Sequence, residues 1–188
     1  ASTNHGKAAE FAEALAGLGY QVVTIDETEA RGEPAPEETG RTFEENALLK
    51  ARHFHALTGL LTVADDSGLE VDILAGRPGL HSARYAVDDA SRIRRLLGEL
   101  EGVPSAERTA RFTCVVALVG PQVEQVFRGE CRGTIRHVAS GTHGFGFDPV
   151  FAPDGDSRTF AEMTTAEKRR VSHRGHAIEA LAEYLRAR

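Results

Sequence analysis

The sequence lacks several features that would assign it to a specialised class of protein. Its 188 residues include two cysteines, Cys114 and Cys131, too few for a disulfide framework, so we expect free thiols and a cytoplasmic location. No apolar run approaches the length of a membrane span, and no segment resembles a signal peptide. The formal net charge of -6 argues against a nucleic-acid partner, which would call for a basic face, but permits a small anionic ligand.

The composition and length are those of an ordinary globular protein, and they predict one domain over residues 1–188. Hydrophobic residues make up 41% of the chain and charged residues 27%, which is typical of such domains. A chain of this length can bury a substantial core. It opens at ASTNHGK without a methionine and passes almost at once into a helical pattern. Because an α/β protein often places a strand before such a loop, we expect a short strand before residue 1.

Hydrophobic periodicity predicts alternating helices and strands, and hence an α/β fold. Helices are predicted at KAAEFAEALAGLG, at ENALLKARHFHAL behind a Thr42–Glu45 capping box, and at DDASRIRRLLGEL. Two more are predicted in the tail, one begun by Thr164 with Glu167 and one begun near Ser172. Strands are predicted at QVVTI, at LLTVA, and in a long pair, RFTCVVALVGPQVEQVFRGECRGTI, joined at Gly120 and Pro121.

Two adjacent acids in TVADDSGLEVD have two interpretations. The strand LLTVA is predicted to deliver Asp65 and Asp66 at its carboxyl end, and Asp-Asp-Ser-Gly is favourable turn composition. Alternatively the acids bind Mg²⁺, which prefers oxygen ligands and commonly takes one or two carboxylates plus substrate phosphates. Glu37 or Glu38 could then add a carboxylate. The spacing is not that of an EF-hand, and the acids alone leave both interpretations open.

Three further segments carry candidate ligand contacts. STNHGK at residues 2–7 could cradle phosphate at a helix start, although it lacks the P-loop frame and could be a solvated arm. GTHGFGFDPVF at residues 141–151 could bring backbone and a phenylalanine ring close to a flat ligand, or could be a tight turn with two core aromatics.

The third segment, EKRRVSHRG at residues 167–175, places His173 and Arg174 at a predicted helix start, where their donors could meet a carbonyl or phosphate oxygen. A solvent-facing basic turn is the alternative. His173 and His176 are one helical turn apart, as zinc ligands can be, but the sequence offers no third ligand.

Taken together and in this order, these motifs resemble the inosine/xanthosine triphosphate pyrophosphatase family over essentially the whole chain. The motifs are STNHGK, EETGRTFEENALLKA, ADDSGLEVD with PGLHSARY, the segment from GTIR to GFGFDPVF, and EKRRVSHRG. Each is weak alone, but five in sequence are specific. The resemblance implies hydrolysis of non-canonical purine nucleoside triphosphates (ITP, dITP and XTP) to the monophosphate and pyrophosphate. It also implies an elongated mixed central sheet flanked by helices, two lobes with a nucleotide-binding cleft between them, and a homodimer.

The resemblance further implies a role for each matching position. Asp66 is expected to take a proton from water and, with Glu38, to bind Mg²⁺, although Glu37 could replace Glu38. Asp65 and Lys50 complete the catalytic set. The expected substrate contacts are Ser2, Thr3, Asn4, His5, Gly6, Lys7, Ser67, Phe145, Gly146, Phe147, Asp148, Lys168, His173 and Arg174. Phe147 stands where many relatives have tyrosine, so a hydroxyl is absent there.

Two other functions are compatible with parts of the pattern. One is a related hydrolase that acts on other nucleotides, such as modified pyrimidine triphosphates. The other is a nucleotide-sensing module without turnover. The set of Asp65, Asp66 and Lys50 argues against a sensor, which needs no water-activating acid. The SHRG motif argues against a pyrimidine substrate, because in the family it fits recognition of purine O6.

Overall fold

The protein has a mixed α/β fold. A computed structural model describes the backbone of residues 5–188 and the side chains from Lys7 onward. The helices in this part of the chain are α1 (His5–Ala14), α2 (Phe43–Thr58), α3 (Asp89–Glu99), α4 (Thr165–Val171) and α5 (His173–Arg186). The strands are β1 (Thr62–Val71), β2 (Thr109–Gly120), β3 (Val123–Ile135) and β4 (Phe151–Pro153). Short 3₁₀ helices occur at Ile25–Glu27, Asp72–Leu74, Gly79–Arg84, Ser105–Glu107 and Phe160–Glu162.

The four strands form one sheet in the order β1-β2-β3-β4. The predicted long pair is confirmed as β2 and β3. Strand β4 pairs antiparallel with β3, with Gly133 opposite Pro153 and Ile135 opposite Phe151. A Cβ atom on Gly133 would lie 2.2 Å from the Ala152 carbonyl oxygen, so this close pairing requires glycine.

The predicted helix starts at α2, α3 and α4 are confirmed by their caps. The Thr42 hydroxyl accepts a hydrogen bond from the Glu45 amide at 3.1 Å, as a capping residue does. The Asp88 carboxylate accepts from the Ser91 amide at 2.7 Å, and Thr164 forms a capping box with Glu167. Helix α5 begins at His173, which places His173 and Arg174 at a helix N-terminus as predicted.

The prediction of a strand at QVVTI is wrong. Residues 21–24 belong to no strand, and Ile25–Glu27 is a short 3₁₀ helix. Thr24 caps that helix, since its amide and hydroxyl both bind the Glu27 carboxylate, at 2.7 and 2.8 Å. The Thr-x-x-Glu spacing was a capping signal, and this local bonding outweighs the β propensity of the two valines.

The two acids of TVADDSGLEVD lie within a strand and not at its end. Strand β1 continues through Asp65, Asp66, Ser67 and Gly68 to Val71, so the predicted strand end and the turn interpretation are both wrong.

Helix α1 also differs from the prediction, because it begins at His5 and ends at Ala14, before Gly19. Lys7 therefore lies in the first turn of a helix, not in a loop that precedes one.

The chain divides into two compact units, each with its own hydrophobic core. The first contains the segment that ends at Asp66, with Cys114–Gly129 and Gly175–Arg188; the second contains Ser67–Thr113 and Glu130–Arg174. The first core includes Phe11, Leu15, Val116, Leu118, Ile178 and Leu181. The second includes Leu69, Leu96, Leu100, Phe112, Phe147, Phe151 and Phe160. The single domain, the leading strand and the cleft between lobes stay predictions.

Both cysteines are buried, and they do not form a disulfide with each other. Among the helices of residues 5–188, none combines the length and the apolar character that crossing a membrane requires.

Candidate active site

In the first unit, the ammonium group of Lys50 on α2 meets two carboxylates, one from Asp66 on β1 and one from Glu38 in the loop before α2. Lys50 extends from α2, and its Nζ lies 2.8 Å from Glu38 Oε1 and 3.2 Å from Asp66 Oδ1. The side chains of Lys50 and Asp66 are each 13% exposed. Of the two candidate glutamates, Glu38 contacts Lys50 while Glu37 is exposed; which of them faces a metal stays a prediction.

Asn46 holds the other side of Asp66, and the sequence reasoning missed it. Its side-chain amide donates to Asp66 Oδ2 at 3.2 Å, and its carbonyl oxygen accepts from the Gly40 amide at 2.8 Å. Asn46 is one helical turn before Lys50, so both side chains lie on one face of α2. That spacing was the signal that could have identified it.

The surroundings of Asp66 shift its proton affinity and that of Lys50. Burial raises the pKa of Asp66 and the charge of Glu38 adds to the rise, while the attraction of Lys50 opposes it. Burial alone would lower the pKa of Lys50, but Asp66 and Glu38 together outweigh it and raise the pKa above its usual value. Lys50 therefore stays charged, and Asp66 is a stronger base than an exposed aspartate.

Asp65 is neutralised separately by Lys7. The Lys7 ammonium lies 2.9 Å from both carboxylate oxygens of Asp65, whose side chain is 4% exposed. Such a buried charge is stable only with a partner. The structure thus joins Lys7 to Asp65, while the contact of Lys7 with phosphate that the resemblance implies stays a prediction. Ser2, Thr3 and Asn4 lie outside the described residues, and His5 and Gly6 are described only as the first residues of α1.

We call the group formed by Lys7, Glu38, Asn46, Lys50, Asp65 and Asp66 the carboxylate–lysine cluster. Its donor set fits Mg²⁺, because Glu38 and Asp66 present hard oxygen atoms and already converge on one cation, the Lys50 ammonium. Among the side chains of residues 7–188, no three from His, Cys, Asp or Glu are grouped as ligands for one metal. Magnesium in proteins commonly takes one or two carboxylates and completes its coordination with water and substrate oxygens. The zinc interpretation of His173 and His176 gains no support.

In the second unit, Asp148 holds the glycine-rich loop of residues 143–148. Its Oδ2 accepts from the Phe145 amide at 2.8 Å and from Lys168 Nζ at 2.5 Å. The Asp148 side chain is 4% exposed and that of Lys168 is 15% exposed. Gly144 has φ +77°, and a Cβ there would lie 2.0 Å from Asp148 Oδ2. Only glycine at this position lets the carboxylate bend back onto its own loop.

The two phenylalanines of this loop have different surroundings. The Phe147 side chain is 3% exposed and belongs to the core, where its ring meets that of Tyr85 edge to face at 6.1 Å. Phe145 is 48% exposed, with Lys168 Nζ at 5.1 Å and the Arg174 guanidinium at 5.4 Å from its ring centre. Phe145 therefore offers the accessible ring, and Phe147 is the core aromatic.

His173 and Arg174 are both buried at the start of α5, with 5% and 3% exposure. The His173 ring stacks on Phe112, with centroids 4.6 Å apart and planes 9° apart. Arg174 Nη2 donates to Ser67 Oγ at 3.4 Å. The alternative of a solvent-facing basic turn is wrong, since burial of both side chains directs their donors inward.

We call Ser67, Phe145, Gly146, Phe147, Asp148, Lys168, His173 and Arg174 the glycine-loop cluster. All its members lie in the second unit. Arg174 joins Ser67 to the ring of Phe145, and Lys168 binds Asp148. Their contact with a substrate stays a prediction. The sequence reasoning missed Asp89, which binds the Gly146 amide from outside the loop.

Comparison with known proteins decides the family. The Ham1 family model matches residues 1–184. The chain belongs to the Ham1 family. It is 47% identical over 189 residues to a dITP/XTP pyrophosphatase of Symbiobacterium thermophilum, covering 100% of this chain and 93% of that protein. It is 44% identical over 190 residues to the dITP/XTP pyrophosphatase of Streptomyces avermitilis, covering 99% of this chain and 95% of that protein.

Solved structures agree with the fold and with the predicted family. The HAM1 protein from Coxiella burnetii matches with a TM-score of 0.92 and 40% identity, covering 100% of this chain and 97% of that one. The nucleoside-triphosphatase, dITP/XTP pyrophosphatase, from Mycobacterium abscessus matches with a TM-score of 0.76 and 44% identity, covering 96% and 95%. The family predicted from the motifs is confirmed, and so is the mixed α/β fold.

Proposed function

We propose that this Ham1-family protein hydrolyses ITP, dITP and XTP to the nucleoside monophosphate and pyrophosphate, removing non-canonical purines from the nucleotide pool. The relatives named above as dITP/XTP pyrophosphatases match nearly the whole chain. The observation that carries the proposal is the position of Asp66. This acid is largely buried and is held from one side by Lys50 and from the other by Asn46. A base fixed in this way suits the activation of water for hydrolysis.

Asp66 is the group that takes the proton from the attacking water. Its raised pKa makes it a better proton acceptor than an exposed aspartate, and it remains ionised above that pKa. The positive charge of Lys50 limits the rise in the pKa of Asp66, and its hydrogen bond to Oδ1 keeps the Asp66 carboxylate oriented. Asp65 has a different role, because its two carboxylate oxygens accept hydrogen bonds from Lys7 and so hold that ammonium group in position.

The lysines supply positive charge for the triphosphate. Negative charge grows on the departing pyrophosphate as the bond between the α and β phosphates breaks. Positive groups already in place stabilise this charge without reorganisation in the transition state. Lys50 and Lys7 are held ready by carboxylates, so each can turn part of its hydrogen bonding toward phosphate oxygens.

We propose that Glu38 and Asp66 bind Mg²⁺ when the substrate is present. The ion would neutralise phosphate charge and lower the pKa of a bound water. The support is that two carboxylates, those of Glu38 and Asp66, share one ammonium group, that of Lys50, so these three side chains carry an excess negative charge that a cation would balance.

The glycine-loop cluster is proposed to select the purine. Hypoxanthine and xanthine carry a carbonyl at position 6, where adenine carries an amino group. Arg174 and His173 can donate to a carbonyl but not to an amino donor, with the imidazole in a suitable tautomer or charged. The exposed ring of Phe145 offers a surface on which a base can stack.

The remaining features of the proposal rest on the resemblance and the composition. We propose a homodimer, as the family resemblance implies. We also propose a cytoplasmic location, which two buried thiols outside any disulfide support. No nucleic-acid or membrane partner is proposed.

A nucleotide panel with analysis of the released phosphate tests this function. ITP, dITP and XTP should release pyrophosphate in the presence of Mg²⁺, faster than ATP and than modified pyrimidine triphosphates, and EDTA should stop the reaction. Release of orthophosphate would contradict cleavage between the α and β phosphates. Tight nucleotide binding without turnover would instead favour a sensing module.

A further inference from the structure

Asp89, the first residue of α3, divides its carboxylate between two partners in the second unit. Its Oδ2 accepts from the Gly146 amide at 2.7 Å, and its Oδ1 accepts from Arg92 Nη1 at 2.5 Å. Gly146 is 57 residues away in sequence. A carboxylate outside the glycine-rich loop therefore holds one of the loop's backbone amides, with the strength of a charge-assisted hydrogen bond.

The bound amide lies at the centre of the loop. Gly146 has φ +63° and separates the exposed Phe145 from the buried Phe147. The preceding amide, that of Phe145, is bound by Asp148 at 2.8 Å. Two successive amides are thus each bound by a carboxylate, one from within the loop and one from Asp89. The peptide between Phe145 and Gly146 is held on both sides, because its carbonyl accepts from the Asp148 amide at 3.3 Å and its N–H donates to Asp89. A left-handed glycine is intrinsically free to rotate, and of these two bonds the shorter one, to the Asp89 carboxylate, is charge-assisted.

Asp89 is itself held in position. Arg92, one turn further along α3, donates to the carbonyl oxygen of Ala86 at 3.3 Å and also to that of Ala83. These carbonyls lie in and just after the 3₁₀ helix Gly79–Arg84. A carboxylate at the first residue of a helix is also favoured by the helix dipole. The Asp89 side chain is 45% exposed, but both of its oxygens are bound, so the restraint on Gly146 comes from a carboxylate that is held at two points.

We propose that Asp89 is a positioning residue that holds the glycine-rich loop in the conformation that receives the purine base. The inference rests on the proposed function, in which this loop binds the base. Without the acceptor, Gly146 turns and the loop samples several conformations. The apparent affinity for substrate then falls with the population of the competent conformation. The chemical step, which uses the carboxylate–lysine cluster, is unaffected once substrate is bound.

The test compares Asp89→Ala, Asp89→Asn and Asp88→Ala in the full-length protein. Asp89→Ala should raise KM for dITP about tenfold, the effect of losing one hydrogen bond to a charged group, with kcat changed less than about twofold. Asp89→Asn keeps an oxygen acceptor for the Gly146 amide, so its KM should lie much closer to the wild-type value than that of Asp89→Ala. Asp88 caps the same helix through the Ser91 amide, and Asp88→Ala should leave KM near the wild-type value.

A second readout uses no nucleotide. Amide hydrogen exchange followed by NMR should be faster at Gly146 in Asp89→Ala than in the wild type or in Asp88→Ala. An unchanged KM in Asp89→Ala would overturn the proposal. An equal rise in Asp88→Ala would also overturn it, since general weakening of α3 would then explain the effect. If the wild type released no pyrophosphate from dITP, the proposed function would fail, and Gly146 exchange in Asp89→Ala alone would decide whether Asp89 restrains the loop.

Discussion

The carboxylate–lysine cluster and the glycine-loop cluster position polar groups by opposite means. In the first, charged side chains bind one another directly, and most of them project from helices and a strand: Lys7 from α1, Lys50 from α2, and Asp65 and Asp66 from β1. In the second, the carboxylates of Asp148 and Asp89 bind backbone amides of a loop that contains left-handed glycines. Side chains on regular elements keep their charge in place even when a neighbour is lost. A loop whose backbone amides are each held by one hydrogen bond loses its conformation when that bond is removed.

This difference separates the expected consequences of mutation. Phosphates are common to every nucleotide substrate, so defects in the carboxylate–lysine cluster should slow all substrates alike. The base is what distinguishes substrates, so defects in the glycine-loop cluster should change their ranking. Four substitutions test this separation, in order of decreasing expected effect.

Asp66→Asn should reduce kcat by about 10²–10⁴-fold, the range for loss of a positioned base. Asparagine keeps the shape of the side chain but removes the proton acceptor and one charge facing the proposed metal. The measurement is pyrophosphate release from ITP at saturating Mg²⁺. Glu37→Gln is the matched control, because this neighbouring acid is exposed, and it should change little. Near wild-type turnover in Asp66→Asn would show that another group activates the water.

Lys50→Ala should lower kcat/KM on ITP and XTP by similar factors of about 10–100, as expected for a lost charged hydrogen bond. The pKa of Asp66 is raised by burial and restrained by Lys50, so removing Lys50 raises it further. Activity that requires ionised Asp66 should therefore begin at a higher pH, and the acid limb of the pH–rate profile should shift upward.

The control for Lys50 is Arg52→Ala, which removes a positive charge from an exposed position of the same helix, paired with Glu124. It should leave both the rate and the acid limb unchanged. A large change in the ITP to XTP ratio in Lys50→Ala would assign Lys50 to the base and would remove the separation between the clusters.

Arg174→Ala should narrow the preference for ITP over ATP by about tenfold, mainly by slowing ITP hydrolysis. A purine carbonyl loses a donor in this variant, and net hydrogen bonds of this kind contribute about 1–3 kcal/mol. Competition between the two substrates measures the change, and exposed Arg170→Ala is the control of matching charge. An unchanged preference would move base recognition to other groups, such as the backbone near Phe147 and Asp148.

The sequence predicted those parts of the site that depend on local chemistry. The cap at Thr42 fixes where α2 begins, and hence where Lys50 points. What the sequence could not supply was long-range pairing. Lys7 and Asp65 are 58 residues apart, and Asp89 and Gly146 are 57 apart. No periodicity encodes such contacts, because they depend on how separate elements pack.

The two wrong predictions about strands have the same origin. β propensity indicated a strand at residues 21–25 and a strand end before Asp65. A strand, however, is defined by pairing with its neighbours, and propensity is easily overridden by context. Ordered motifs compensated for this weakness. They identified the family, and with it Asp148, Lys168 and Arg174, although no local rule brings these three residues together.

The smallest expected effect on turnover concerns Gly40, which supports Asn46 and so supports Asp66 only indirectly; its main effect is on stability. A Cβ at this position would lie 2.5 Å from Asn46 Oδ1 and 2.8 Å from Glu45 Cβ. Gly40→Ala should therefore displace the Asn46 side chain and cost about 1–3 kcal/mol of the free energy of unfolding, as overpacking does. Gly98→Ala is the matched control, because Gly98 lies in α3 and a Cβ added there would meet open space. That change should stabilise by up to about 0.5–1 kcal/mol, since alanine is the better helix former. Urea unfolding measures both free energies. If Gly40→Ala were as stable as the wild type, Asn46 would accommodate the added methyl group, and the Gly40–Asn46 contact would not restrain Asp66. The carboxylate–lysine cluster would then need no support from the backbone, unlike the glycine-rich loop.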